Sequence, residues 1–226
     1  MIITREDFLD QRDPRFGRAN PERMQMPFWE LMVGGKYWAW WAREKFNAPP
    51  VKDHEPIWCF DRYGMSTTKL SDGRIVHIGG EHEDWYDEDF CIYNDVVVLE
   101  PDKTITIFGY PKDVFPPTDF HSATLIGERI LIIGALGYLD ERTPGFTPVY
   151  WLDCRSFRIG AFETFGDNPG WIWDHKAKLD AEGGSVIIRG GEVYEKHDKY
   201  RQNRKVYSLD IDSGIWKRVR SAAKAE

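Results

Sequence analysis

Residues 81–90, Glu-His-Glu-Asp-Trp-Tyr-Asp-Glu-Asp-Phe, carry six carboxylates in ten positions. Carboxylate oxygens suit hard cations, and Glu81, His82 and Asp84 are the ligating types at the start of this stretch. The spacing and central glycine of a calcium loop are missing. The stretch therefore reads as a solvated acidic loop, and no metal or cofactor is assigned to it. Trp85 and Tyr86 lie in its middle, an aromatic pair ringed by charge, which is a composition that suits a contact surface. His121 and His175 are the second candidates. Brought together, two imidazoles can bind a metal or act as acid and base. A histidine that recurs with a repeat is more simply a hydrogen-bonding structural residue. The chain contains no nucleophile elbow, phosphate-binding glycine loop or zinc motif.

These residues are positioned by a threefold internal repeat. Ile75-Val-His-Ile-Gly-Gly80 returns as Ile130-Leu-Ile-Ile-Gly-Ala135 and as Val186-Ile-Ile-Arg-Gly-Gly191, a step of about 55 residues. Each is preceded by a matched run that begins at Ser66, His121 or His175. Each is followed by another that begins at Asp95, Pro148 or Lys205. A fourth run covers Ile105–Phe108, Phe157–Phe162 or Ile215–Val219. The runs are short and rich in Val, Ile and Tyr, with turn residues such as Ser71-Asp72-Gly73 and Asp212-Ser213-Gly214 between them. Four strands, a to d, are expected in each unit. Loops a–b and c–d are tight, whereas loops b–c and d–a are long. In an up-and-down sheet all the long loops gather on one face, which is then the expected working face.

Composition sets the outer limits. At 226 residues the chain can form one domain of ordinary size, or one domain with an extension. With 37 Asp and Glu against 30 Lys and Arg its net charge is −7, which disfavours binding to a nucleic-acid backbone. No apolar run approaches the ~20 residues of a membrane span, so no membrane partner is expected. The charged N-terminus does not resemble a signal peptide. Cys59, Cys91 and Cys154 form an odd, widely spaced set that suits reduced thiols, so a cytoplasmic location is expected. Residues 1–26 read as an irregular arm. Phe28 to Phe46 have near-helical apolar spacing broken at Gly34-Gly35, so they form one helix or two. Trp29, Trp38 and Trp41 would pack on the repeat domain.

The repeated residues resemble the kelch repeat. Gly79-Gly80 and Gly190-Gly191 end strand b. Tyr150-Trp-Leu-Asp153 and Tyr207-Ser-Leu-Asp210 close strand c in Leu-Asp, Trp216 follows, and His121 and His175 open strand a. The likeness covers about residues 60–220 and is strongest in the third repeat. Departures are Gly134-Ala135, Ser66 in place of His, and no strand-d Trp in the first two units. The resemblance implies an all-β fold: a kelch-type β-propeller, small or incomplete, of three recognisable four-stranded blades with an N-terminal helical extension. The domains would be 1–54, the arm and helical segment, and 55–226, with units at about 60–110, 115–165 and 170–220. Closed propellers have about four to eight blades. The open flanks would be covered by the helical segment, by a part-blade near 55–60, or by a second chain in a homodimer.

In such a fold His121 and His175 begin the innermost strands and are candidates for the channel. The strand-end glycines, Gly190 included, are expected to resist substitution. Glu83, Asp87 and Cys91 resemble the Glu-x3-Asp-x3-His iron motif of the kelch-type specifier proteins, with Cys in place of His. The Tyr–Cys cross-link of the kelch-type copper oxidases has no counterpart. The expected function is a protein-binding or scaffold module. Its contact surface would hold Glu81, His82, Asp84, Trp85, Tyr86, Tyr138, Trp171, Trp173 and Tyr194. The alternatives are an isomerase or lyase acting on a small molecule at the channel mouth, and an inhibitor or immunity-type protein.

Overall fold

The computed structural model describes residues 2–48, 56–84, 87–197 and 199–219. The side chains of Asp84, Asp87, Glu88 and Asp89 also lie outside the described set. The fold is all-β. Its frame is three antiparallel sheets, each with its repeat strands hydrogen-bonded in the order d-c-b-a. In the first sheet these are Ser66–Lys69, Ile75–Ile78, Val96–Leu99 and Ile105–Gly109, taken from a to d. In the second they are Ser122–Ile126, Arg129–Ile133, Val149–Asp153 and Ile159–Ala161. In the third they are Lys176–Leu179, Ser185–Arg189, Val206–Asp210 and Ile215–Val219. Two sheets gain a short fifth strand outside d. Glu22–Arg23 pairs antiparallel with the first, and Phe165–Gly166 pairs parallel with the third.

The Leu-Asp ending of strand c has a local cause. Asp153 Oδ1 accepts from the backbone N–H (2.7 Å) and hydroxyl (2.7 Å) of Ser156. Asp210 Oδ1 does the same with Ser213, at 2.8 and 2.6 Å. A short carboxylate that satisfies the turn's own donors fixes the c–d hairpin without help from the core.

Two compact units divide the chain, residues 1–119 and 120–226. The boundary is thus not the one at 54/55 that the sequence suggested. The helices share the first sheet's core. Helix α1 (Arg5–Gln11) is capped by Thr4, whose hydroxyl accepts from Asp7 N while Asp7 accepts from Thr4 N. This helix lies inside the stretch read as an irregular arm. The apolar stretch that follows is two helices, α2 (Pro27–Gly35) and α3 (Ala39–Lys45), separated at Lys36, which takes the left-handed conformation. Phe8, Phe28, Trp29 and Met32 are buried against Trp58, Val97 and Ile107. Trp29 and Trp58 stack with centroids 4.7 Å apart, contributing about 1 kcal/mol beyond their area. Trp41 stacks on Tyr37, whereas Trp38 is exposed.

The segment that enters the first sheet is fastened by a buried guanidinium. Arg62 Nη2 donates to Asp95 Oδ2 at 3.0 Å, Nη1 to the Gly79 carbonyl at 3.0 Å, and Nε to the Cys59 carbonyl at 2.7 Å. Trp58 Nε1 donates to the same Asp95 oxygen at 2.8 Å, and the guanidinium lies over the Tyr93 ring at 3.5 Å. A buried charge paired and hydrogen-bonded in this way is tolerated; stripped of its partner it is costly.

In the second unit the second and third sheets share one core. Leu131, Ile133 and Val149 pack with Val186, Ile188, Leu209 and Trp216. Strand b of the second sheet is buried on both faces, since Ile130, Leu131, Ile132 and Ile133 are all inaccessible. The a strands of the two sheets run side by side, tied by a 2.8 Å hydrogen bond between Ser122 Oγ and His175 Nε2.

The glycines at the end of strand b have a shared purpose. A Cβ on Gly79 would overlap the Thr118 carbonyl, and one on Gly134 the Ile172 carbonyl; both carbonyls belong to the linker that follows the sheet. The second glycine of a doublet meets the linker that precedes it: Gly80 faces Tyr63 and Met65, and Gly191 faces Trp173 and His175. All four glycines have positive φ, which only glycine adopts without cost. Gly190 also has positive φ, but nothing lies within 4 Å of its would-be Cβ. The expected clash in the third repeat therefore falls on Gly191. Gly134→Val and Gly191→Val should each lower stability by several kcal/mol, combining backbone strain with overlap. Gly190→Val should cost only the strain, about 1–3 kcal/mol. Chemical denaturation of the three variants checks this; a Gly190→Val loss as large as the others would refute the linker explanation.

Candidate functional site

In the second unit three long segments meet: the b–c loops of both sheets, and the linker between the sheets. The third sheet's b–c loop is a hairpin, Glu192–Lys196 with Lys199–Gln202, and Ile172–Trp173 from the linker adds a third strand to it. Tyr194 N donates to the Trp171 carbonyl at 2.9 Å. The second sheet's loop is fastened from the other direction. Trp171 Nε1 donates to the Leu136 carbonyl at 3.1 Å, and Thr147 Oγ1 donates to the Gly170 carbonyl at 2.8 Å. Arg142 Nε donates to the Leu136 carbonyl (2.9 Å), and its guanidinium sits 5.8 Å from the rings of both Trp173 and Tyr194.

The result is a braced face with an open cleft of about 700 Å³. The linker residues 166–170 line it on one side, and Tyr194, Lys196, His197, Lys199 and Arg201 of the hairpin on the other. Three aromatic side chains next in sequence to lining residues stand out at its margins. Phe146 follows Gly145 and is 52% exposed, Phe165 precedes Gly166 and is 59% exposed, and Tyr200 follows Lys199 and is 61% exposed. Tyr200 leans edge-on against the Trp173 ring, centroids 5.9 Å apart.

The residues singled out from sequence are distributed as follows. Trp171 and Trp173 come together, but both are only 7% exposed, packed with Ala135 and against Phe120, Leu136 and Tyr194. Strand pairing of Ile172–Trp173 turns these rings inward, so they brace the face rather than present it. Tyr194 and Tyr138 are half-buried. In the first unit Glu81 and His82 lie on the first strand of a hairpin, Glu81–Asp84 with Asp87–Ile92. His82 is buried, its Nδ1 2.7 Å from the Asp61 carbonyl oxygen. Trp85 and Tyr86 lie outside the described residues, as does the side chain of Asp84. No group of three or more His, Cys, Asp or Glu placed to hold a metal occurs among the described residues. Sequence reasoning missed Phe146, Phe165 and Tyr200. The signal available was local: Phe146 sits between turn formers in Pro-Gly-Phe-Thr-Pro, where no sheet can cover it.

Two titratable clusters are built in. Burial first, and then the neighbouring, fully buried Asp119 carboxyl with its hydrogen bond, push Glu81 up to about 7. Burial pushes His175 down to about 4. Burial, with His175 nearby, pushes His121 down to about 3. An imidazole held neutral and bonded to a serine hydroxyl is a weak base, and its visible role is to tie two strands. No helix among the described residues is long and apolar enough to cross a membrane. No protein-family profile and no curated protein matches the chain.

The depressed imidazoles fix a sign. Unfolded histidine takes up its proton near 6.5, whereas the folded groups resist until about pH 4 or 3. Their contribution is complete above about pH 6.5 and is lost as pH falls toward those folded values, at up to about 1.4 kcal/mol per pH unit for each ring. Glu81 acts oppositely in the first unit, where stability falls as pH rises from about 4.5 to about 7. Hydrogen exchange in residues 122–133 and 176–189 should accelerate between pH 6.5 and 4.5. The change should flatten when His121→Gln is combined with His175→Gln. An acid response identical in the double variant would show that these rings are not its source.

Proposed function

We propose that this chain is a protein-binding module that takes up a segment of its partner in the cleft of the second unit. The observation that carries the reading is the contrast within that face. Its frame is fixed by buried tryptophans and backbone hydrogen bonds, yet Phe146, Phe165 and Tyr200 stand exposed around a concavity. Exposed aromatic anchors on a rigid rim are the side chains that most often carry interface energy, and a braced scaffold spares the ordering cost of binding. We read the three sheets as kelch-type propeller blades. That reading is supported by their common strand order, by the repeated Asp-to-Ser turns, and by glycine doublets fitted against the linkers.

Combining Phe146→Ser with Tyr200→Ser tests the face. An anchor of this type contributes about 2 kcal/mol or more, so recovery of a specific partner from the native host should fall by at least about tenfold. Circular dichroism and melting temperature should be unchanged, because neither ring is part of the buried core. Equal recovery with the double variant would remove the cleft as the binding face.

A further inference from the structure

The hairpin wall of the cleft holds an arrangement that costs the free protein stability. The strand register sets Lys196 directly opposite Lys199. Like charges facing each other across a strand pair are destabilising. Both lysines are exposed, and neither has an ion-pair partner among the described residues. Nearby carboxylates are engaged elsewhere: Glu195 holds Arg201 at 3.2 Å, and Glu192 accepts from Gln202 Nε2. His197 turns the chain at the tip with φ of 50°, a left-handed conformation uncommon for this residue, and so keeps both lysines beside the cleft. Asp198 lies outside the described residues. Asp167, on the linker side, is the remaining carboxylate that lines the cleft with an exposed side chain.

We infer that the partner segment taken up by this cleft is acidic, with carboxylates settling between Lys196 and Lys199 while its apolar side chains meet Phe146, Phe165 and Tyr200. The inference rests on the reading of the cleft as the binding face. Charge complementarity supports it directly, since a carboxylate between the two ammonium groups removes the cross-strand repulsion that the free hairpin carries. The chain's overall charge of −7 selects the size of the ligand. A long polyanion or an extended anionic membrane experiences the whole protein's repulsion. A short acidic segment responds mainly to charges within a Debye length, about 8 Å at physiological salt.

The test pans the full chain against a displayed library of short random peptides. Recovered peptides are synthesised and titrated against the wild type, against Lys199→Glu, against Lys196→Gln with Lys199→Gln, and against Phe146→Ser with Tyr200→Ser. Peptides rich in Asp and Glu with at least one aromatic or aliphatic residue are expected. Their affinity should weaken at least about tenfold in Lys199→Glu, less in the neutral pair, and should weaken with added salt. Lys199→Glu also places a carboxylate opposite Lys196, so its melting temperature should equal or exceed that of the wild type, which separates lost binding from lost folding. Neutral or basic peptides whose binding depends on Phe146 and Tyr200 would overturn the acidic partner and leave the cleft intact. Peptides indifferent to both sets of variants would overturn the cleft itself. Phosphatidylserine vesicles or single-stranded DNA binding more tightly than any peptide, with the same lysine dependence, would overturn a peptide as the occupant.

Discussion

At the end of strand b, a carbonyl oxygen of the adjoining linker stands where a side chain would begin. The carbonyl that excludes a Cβ at Gly79 also accepts the N–H of Gly80, at 2.8 Å. The one that excludes a Cβ at Gly134 accepts the N–H of Ala135, at 3.0 Å. These are two aspects of one contact: the hydrogen bond requires the close approach, and the close approach requires glycine. Each bond fastens a sheet to its linker at the point where the long b–c excursion leaves the sheet, and so sets the direction in which that excursion starts. The rest of the working face follows. The hairpin 192–202 and the loop 134–148 converge because both leave sheets pinned to the same linker, residues 162–175.

Around this shared contact the two units use different chemistry. In the first, a guanidinium with its counter-ion lies within an aromatic enclosure of Trp58 and Tyr93, and it bonds to the Gly79 carbonyl beside the pinned strand end. Buried ion pairs are weak evidence for stability as such, because desolvation offsets much of the attraction. What Arg62 provides is directional. Its donors fork to four separate acceptors: the carbonyls of Cys59 and Gly79 and the two oxygens of Asp95. One side chain thereby fixes the entering segment against strand ends distant in sequence. In the second unit the corresponding work falls to apolar layers and to an imidazole–hydroxyl tie. Such a tie can be buried because the ring stays neutral.

Strand order was legible in the sequence because each strand has a local cause. Alternating Val and Ile, the Asp-to-Ser turn and the Gly doublet all act within a few residues, and each recurs three times or nearly so. The two short helices after Pro27 were legible for the same reason. What escaped was decided over longer distances. Helix α1 is held by its Thr4–Asp7 cap and by a single buried residue, Phe8, which is too little apolar periodicity to register. Arg62 and Asp95 look like ordinary surface charges until folding brings 33 intervening positions together. The exposed or buried state of an aromatic depends on pairing. Trp173 and Tyr200 are both large aromatic residues in long loops. Trp173 pairs in the linker strand and faces Ala135, while Tyr200, on the edge strand of the hairpin, faces outward.

That inversion separates the residues that build this face from those it presents. Composition alone nominates Trp171 and Trp173, because tryptophan is the most effective anchor residue. Here they are spent on rigidity, filling the junction of three segments where a cavity would cost several kcal/mol. Residues available for recognition are those the fold does not need. Phe146 and Tyr200 remain exposed where burial would have been favourable, and Lys196 faces Lys199 where almost any other pair would be more stable. Sequences that specify a fold agree with their local rules nearly everywhere, and departures without structural compensation concentrate where function is exercised. On this unit both departures, exposed apolar rings and opposed cations, adjoin one concavity. A segment able to cover the first and neutralise the second would relieve both at once.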